Sequence, residues 1–193
     1  MGRLVLFLVI SVDGYIARPD GELDFEIQDP EVGRTFAGAL PKSADTIVLG
    51  RALFRGFEQA WPAMAASPES PPELVEFARW VETATKVVVS RNPLETRWTN
   101  SRSVVARGND DVRALIAELK AGTDREIVSF GGVELAQTLV RLDLVDEYRL
   151  KVQPVALGAG HALFDGLRVP RKLHLREARA YPSGVVAARY DRG

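Results

Sequence analysis

Several short stretches of the chain are apolar and β-branched without interruption at their centres: Leu4 to Ile10, Thr46 to Gly50, Lys86 to Ser90 and Glu126 to Phe130. Apolar runs of this length that close on turn residues read as strands covered on both faces. Between them the spacing switches to the helical period. Val112, Leu115, Ile116 and Leu119 form one stripe behind an N-cap at Asp110 or Asp111, with Gly122 as the stop. Val133, Ala136, Leu139 and Val140 form a second. Strands interleaved with helices predict an α/β fold with a mostly parallel central sheet and helices on both faces.

The last third changes pattern. From Asp146 to Val152, Tyr148, Leu150 and Val152 alternate with Glu147, Arg149 and Lys151, which predicts a strand with one solvated face. Leu173 to Tyr181 and Val185 to Tyr190, joined at Pro182-Ser183-Gly184, predict an antiparallel C-terminal hairpin, so the sheet is expected to be mixed. Glu58 to Pro72 contains Pro62, Pro68, Pro71 and Pro72 among Ala and Ser. This density of proline predicts a long loop, read as a lid over a site rather than as a linker.

Composition narrows the chemistry. With 193 residues, 46% hydrophobic, a single domain over residues 1–193 is expected. Cysteine is absent, which removes disulfides, thiolate metal sites and cysteine nucleophiles. Lys plus Arg number 25 against 26 for Asp plus Glu, without the positive excess that a nucleic-acid partner requires. No apolar run approaches the length of a membrane span, and a cytoplasmic location is the expectation. Only His161 and His174 are available as imidazole ligands, in different segments, so no metal site is expected. His174 reads as a surface or packing residue, while His161, in a glycine-rich turn, is a weak site candidate. P-loop, zincin and nucleophile-elbow motifs are missing, and Gly158-Ala159-Gly160 has Leu163 in place of the third glycine of a dinucleotide fingerprint.

What remains is a set of strand ends. Phe130-Gly131-Gly132-Val133 leads from a strand into a helix, Gly50-Arg51 does the same, and another strand ends in Ser90-Arg91-Asn92. Each alone is served equally well by a tight turn or a solvated arginine. Grouped, they are the donors that a phosphate-bearing nucleotide across the carboxyl edge of an open α/β sheet needs. Asp13-Gly14 after the first strand is either a turn or a carboxylate facing the same crevice, able to bind a heterocycle or relay a proton.

These segments, in order, resemble the dihydrofolate reductase-like family. They are closer to relatives of the C-terminal reductase domain of the bifunctional riboflavin-biosynthesis deaminase/reductase. The resemblance rests on Ser11-Val12-Asp13-Gly14-Tyr15-Ile16-Ala17, Asp45 to Arg51, Lys86 to Arg91, Phe130-Gly131-Gly132, and Leu144 to Gly160. It implies an NADPH-dependent reductase acting on a small pterin-, pyrimidine- or carbonyl-type substrate, and a homodimer. It also implies that Gly14, Ile16, Gly50, Arg51, Ser90, Arg91, Gly131, Gly132 and Val133 border the cofactor, with Asp13 as the catalytic proton handler. A noncatalytic nucleotide- or drug-binding module on the same scaffold is the alternative. The zinc signature of the deaminase half does not occur in this chain.

Overall fold

The computed structural model describes all 193 residues. Its strands are β1 (Arg3–Ser11), β2 (Tyr15–Ala17), β3 (Ala44–Gly50), β4 (Thr85–Ser90), β5 (Ser101–Val105), β6 (Glu126–Gly131), β7 (Glu147–Gln153), β8 (His161–Ala162), β9 (Leu173–Ala180) and β10 (Val186–Arg192). The helices are α1 (Pro30–Thr35), α2 (Leu40–Ser43), α3 (Arg51–Ala66), α4 (Pro72–Thr83), α5 (Asn109–Gly122) and α6 (Val133–Arg141).

An eight-stranded sheet runs in the order β5-β4-β3-β6-β1-β7-β10-β9. Its first six strands are parallel, and β10 and β9 close it antiparallel as the expected C-terminal hairpin. Strand alternation explains why β1 looks apolar throughout. Leu4, Leu6, Leu8 and Ile10 enter a core with Leu115 and Ile116 of α5 and Leu139 and Val140 of α6. Val5 and Phe7 enter a second core with Val32 of α1, Phe54 of α3 and Phe77 and Trp80 of α4. Both faces of the central strands are therefore dry, as parallel sheets require.

The proline-rich stretch is helical, not a lid. α3 runs through Pro62 to Ala66, and α4 starts at Pro72, leaving only 67–71 between them. Pro62 forfeits one backbone hydrogen bond, but Phe54 of the same helix is fully buried and Leu53, Phe57 and Trp61 pack against the core. Pro72 occupies the first helical turn, where a backbone N–H would lack a partner anyway.

Two smaller expectations are also corrected. The cap of α5 is Gly108, and Asp111 instead accepts from the backbone N–H groups of Arg107 and Gly108 at 2.8 and 3.1 Å. The charged face of β7 is not solvated either: Glu147 and Arg149 are 1% and 4% exposed. Arg149 donates to Glu147 and Glu126, both at 2.6 Å, and Arg189 donates to Glu147 at 2.9 Å. Paired charges can line a covered face that the same residues unpaired could not.

Lys86 shows the same economy on β4. Its buried Nζ donates to the carbonyls of Val81, Glu82 and Ala84 at 2.7, 2.9 and 3.0 Å, closing the C-terminus of α4. Burial pushes this ammonium down to about 8. No helix is long and apolar enough to cross a membrane.

Candidate functional site

The parallel strands all point their carboxyl ends at one cleft of about 1280 Å³. Pockets for a single small ligand hold roughly 300–1,000 Å³, so this cleft has room for two ligands side by side.

At the β4–β3–β6 end the lining is glycine, serine and arginine. Gly131 and Gly132 both have positive φ, 82° and 86°, which side-chain-bearing residues adopt at a cost. A Cβ on Gly50 would lie 3.4 Å from the Gly131 carbonyl oxygen, and one on Gly132 would lie 3.5 Å from Gly50 Cα. The two strand-to-helix turns meet through their backbones at ordinary van der Waals distance, and it is the positive φ of Gly132 that calls for glycine there. α3 and α6 begin at these turns with no side-chain cap, and residues of both first turns line the cleft. Arg51 makes no ion pair, whereas Arg91 is held by Glu134 of α6, and both partners of that pair are largely exposed. Arg107 and Asn92 complete this donor-rich end.

Toward β1 and β7 the character changes. Phe7 and Phe130 lie 5.7 Å apart between ring centroids, Phe57 lies 5.5 Å from Phe130, and Trp61 lies 5.6 Å from Phe57. All four line the cleft as an aromatic shelf. Beyond it, Lys151 is paired with Glu26 from the 18–29 loop. Gln153, fully buried, accepts from the Ile27 backbone N–H at 2.9 Å and fastens that loop over the β7 end.

Most of the residues expected at a site are brought together: Ile16, Gly50, Arg51, Ser90, Arg91, Gly132 and Val133 all line the cleft. Gly131, Gly14 and Asp13 do not. Gly131 packs beneath its turn, where a Cβ would meet Leu8 Cδ2 at 3.0 Å. Gly14 supplies the positive φ of the turn after β1. Asp13 is a loop anchor: it accepts from Ser11 Oγ at 2.6 Å and from the backbone N–H groups of Gly158 and Leu157 at 2.7 and 3.1 Å. These bonds, that of Ser11 foremost, lower its carboxyl to about 2, which unsuits it to hold a proton near neutrality. His161 pairs with Ala17 in the β2–β8 ladder, off the cleft, and His174 is exposed on β9.

Sequence reasoning missed Arg107, Phe57, Trp61, Glu26, Lys151 and Gln153. Phe57 and Trp61 sit at i, i+4 on α3, a spacing that was legible, but the prolines around them argued against a helix. Lys151 and Glu26 are 125 residues apart, and no local pattern joins them.

The sequence pattern of the RibD C-terminal domain matches residues 3–187. The Bacillus subtilis (strain 168) protein YyaP is 32% identical over 188 residues, 97% of this chain and 94% of its own. A putative riboflavin biosynthesis protein from Shewanella sp. PV-4 superposes with a TM-score of 0.72 and 24% identity, over 99% of both chains. The Thermotoga maritima diaminohydroxyphosphoribosylaminopyrimidine deaminase/5-amino-6-(5-phosphoribosylamino)uracil reductase gives a TM-score of 0.66 and 15% identity, over all of this chain and 57% of that one. At these identities the superpositions establish the shared dihydrofolate reductase-like fold.

Proposed function

The chain belongs to the RibD C-terminal domain family, and from that membership we propose that it is an NADPH-dependent reductase of a small pterin-, pyrimidine- or carbonyl-type compound. One observation carries the reading. The starts of α3 and α6, neither with a side-chain cap, and the unpaired Arg51 that begins α3 line one cleft of about 1280 Å³.

The residues fit a dinucleotide. Gly50, Gly132 and Val133 let backbone amides approach a pyrophosphate closely, and the helix dipoles behind them favour its charge. Arg51, with Ser90 and Arg91 one strand away, offers guanidinium forks and a hydroxyl to the additional phosphate that separates NADPH from NADH. For Arg91 this means exchanging Glu134 for phosphate; the existing pair is exposed and therefore weak. When bound, NADPH supplies a hydride from its nicotinamide ring. The protein's share is to orient and to exclude water: Ile16, Phe7 and Phe130 shape an apolar floor at the middle of the cleft. Lys151 and Glu26 are the paired charges on the far side of that floor, a cation and a carboxylate offered to polar groups of the substrate.

Titration of the purified protein with NADPH and with NADH, followed by calorimetry and by quenching of the cleft-lining Trp61, tests this reading. NADPH is expected to bind more tightly than NADH, and Arg51→Ala to weaken NADPH about tenfold, or ~1.4 kcal/mol. Absence of NADPH binding overturns the proposal. Binding without oxidation of NADPH by any pterin, pyrimidine or carbonyl compound selects the noncatalytic module instead.

A further inference from the structure

Resting on the reductase reading, we infer that the second ligand of this cleft is a flat heteroaromatic ring that carries no phosphate. The segment over the β7 end, residues 18–34, contains Asp20, Glu22, Asp24, Glu26, Asp29 and Glu31, against Arg18 and Arg34 at its two edges. Glu26 and Asp29 line the cleft itself.

The cations that reach this segment are consumed by it. Lys151 is bound to Glu26, Arg18 to Asp24, and Arg179 to Glu31. Asp29 spends its carboxylate on the backbone of α1, at 2.8 Å from Glu31 N and 3.2 Å from Val32 N, and on Ser183. Lys151 is thus the one cation that β7 brings to the cleft, and it is neutralised; Arg55, on α3 beside the aromatic side chains, is likewise spent on Glu58. A phosphate carrying ~1.5–2 negative charges would have to displace Glu26 and then sit beside it.

The guanidinium groups that could hold a phosphate are elsewhere. Arg51 follows β3 and Arg91 follows β4, three and four strands from β7 in the sheet order. At about 4.8 Å per strand this separation is roughly 14–19 Å. Those donors belong to the dinucleotide end. Between those donors and β7 lies the shelf of Phe7 on β1, Phe130 on β6 and Phe57 and Trp61 on α3, whose rings suit stacking against a planar heterocycle.

A matched pair of probes tests the inference: the 5-amino-6-(5-phosphoribosylamino)uracil named for the Thermotoga maritima enzyme, and the same compound with its phosphate removed. Each is titrated by calorimetry into protein saturated with NADP⁺, so that no hydride can move. The phosphate-free compound is expected to bind at least about tenfold more tightly. Glu26→Gln, in a half-exposed loop position that tolerates the change, releases Lys151 and is expected to improve binding of the phosphorylated compound about tenfold, closing most of the gap. Equal or tighter binding of the phosphorylated compound to the unaltered protein overturns the inference, and so does binding of NADP⁺ with neither uracil compound. Failure of NADP⁺ itself to bind is a different result: it overturns the reductase reading and this inference with it.

Discussion

Asp13 takes its chemistry from three donors that face it, Ser11 Oγ and the backbone N–H groups of Gly158 and Leu157. Because its carboxyl is lowered from 3.8 to about 2 in the folded protein, the anion stabilises the fold fully above pH 3.8. That contribution disappears as the pH falls through about 2. Asp13→Asn is expected to lower the Tm at neutral pH, with the difference from the unaltered protein shrinking between pH 3.8 and about 2, while NADPH affinity changes little; thermal melts across that range and an NADPH titration check it. The turn at Asp13-Gly14 was legible, since Gly14 does take a positive φ of 92°. Its partners were not, because Leu157 and Gly158 arrive from the far side of β7, beyond the reach of any local pattern.

At the level of the element, α3 is the instructive case. A proline inside a helix costs about 3 kcal/mol through its missing donor and its ring. α3 tolerates Pro62 because its apolar side chains gain more from burial than one backbone bond is worth. Pro62→Ala restores a donor toward the Glu58 carbonyl, and the freedom regained by the unfolded chain takes back roughly 0.4–1 kcal/mol. A net gain of about 2 kcal/mol in urea unfolding, with unchanged helix content by circular dichroism, is the expected outcome. The strands β1, β3, β4 and β6 and the helices α5 and α6 were readable because burial imposed one clean period on each. α4 was hidden by the prolines before it, and β5, Ser101 to Val105, carries too little apolar character to announce a strand. It is an edge strand with one neighbour, and half-buried residues suffice there.

For the molecule as a whole, the charged stripe across β6, β7 and β10 joins segments far apart in sequence. Burial by itself would raise the Glu147 carboxyl, but hydrogen bonds from Arg189 and Arg149 outweigh it and hold it below the usual carboxylate range. The stabilisation is present above the ordinary glutamate value of 4.5 and is lost as the pH falls through the lowered one. Arg149→Met leaves Glu147 buried with two of its three arginine partners, Arg3 and Arg189, and strips Glu126 of its arginine. The expected loss is about 3–5 kcal/mol near pH 7, narrowing below pH 4.5 as Glu147 takes up a proton; urea unfolding at pH 7 and pH 4 measures both.

The amino-acid sequence by itself determined the class of fold, the strands of its centre, and the glycines and arginines at their ends. These follow from hydrophobic period and backbone permissiveness, which act over a few neighbouring residues. Only the tertiary structure decided which of those ends share a cleft, that Arg91 answers to Glu134 and Lys151 to Glu26, and that the charges of β7 are covered. Sheet order and register settle such pairings, and both depend on contacts between segments far apart in the chain, as where Leu4 at the start of β1 meets Asp146 before β7, 142 residues on.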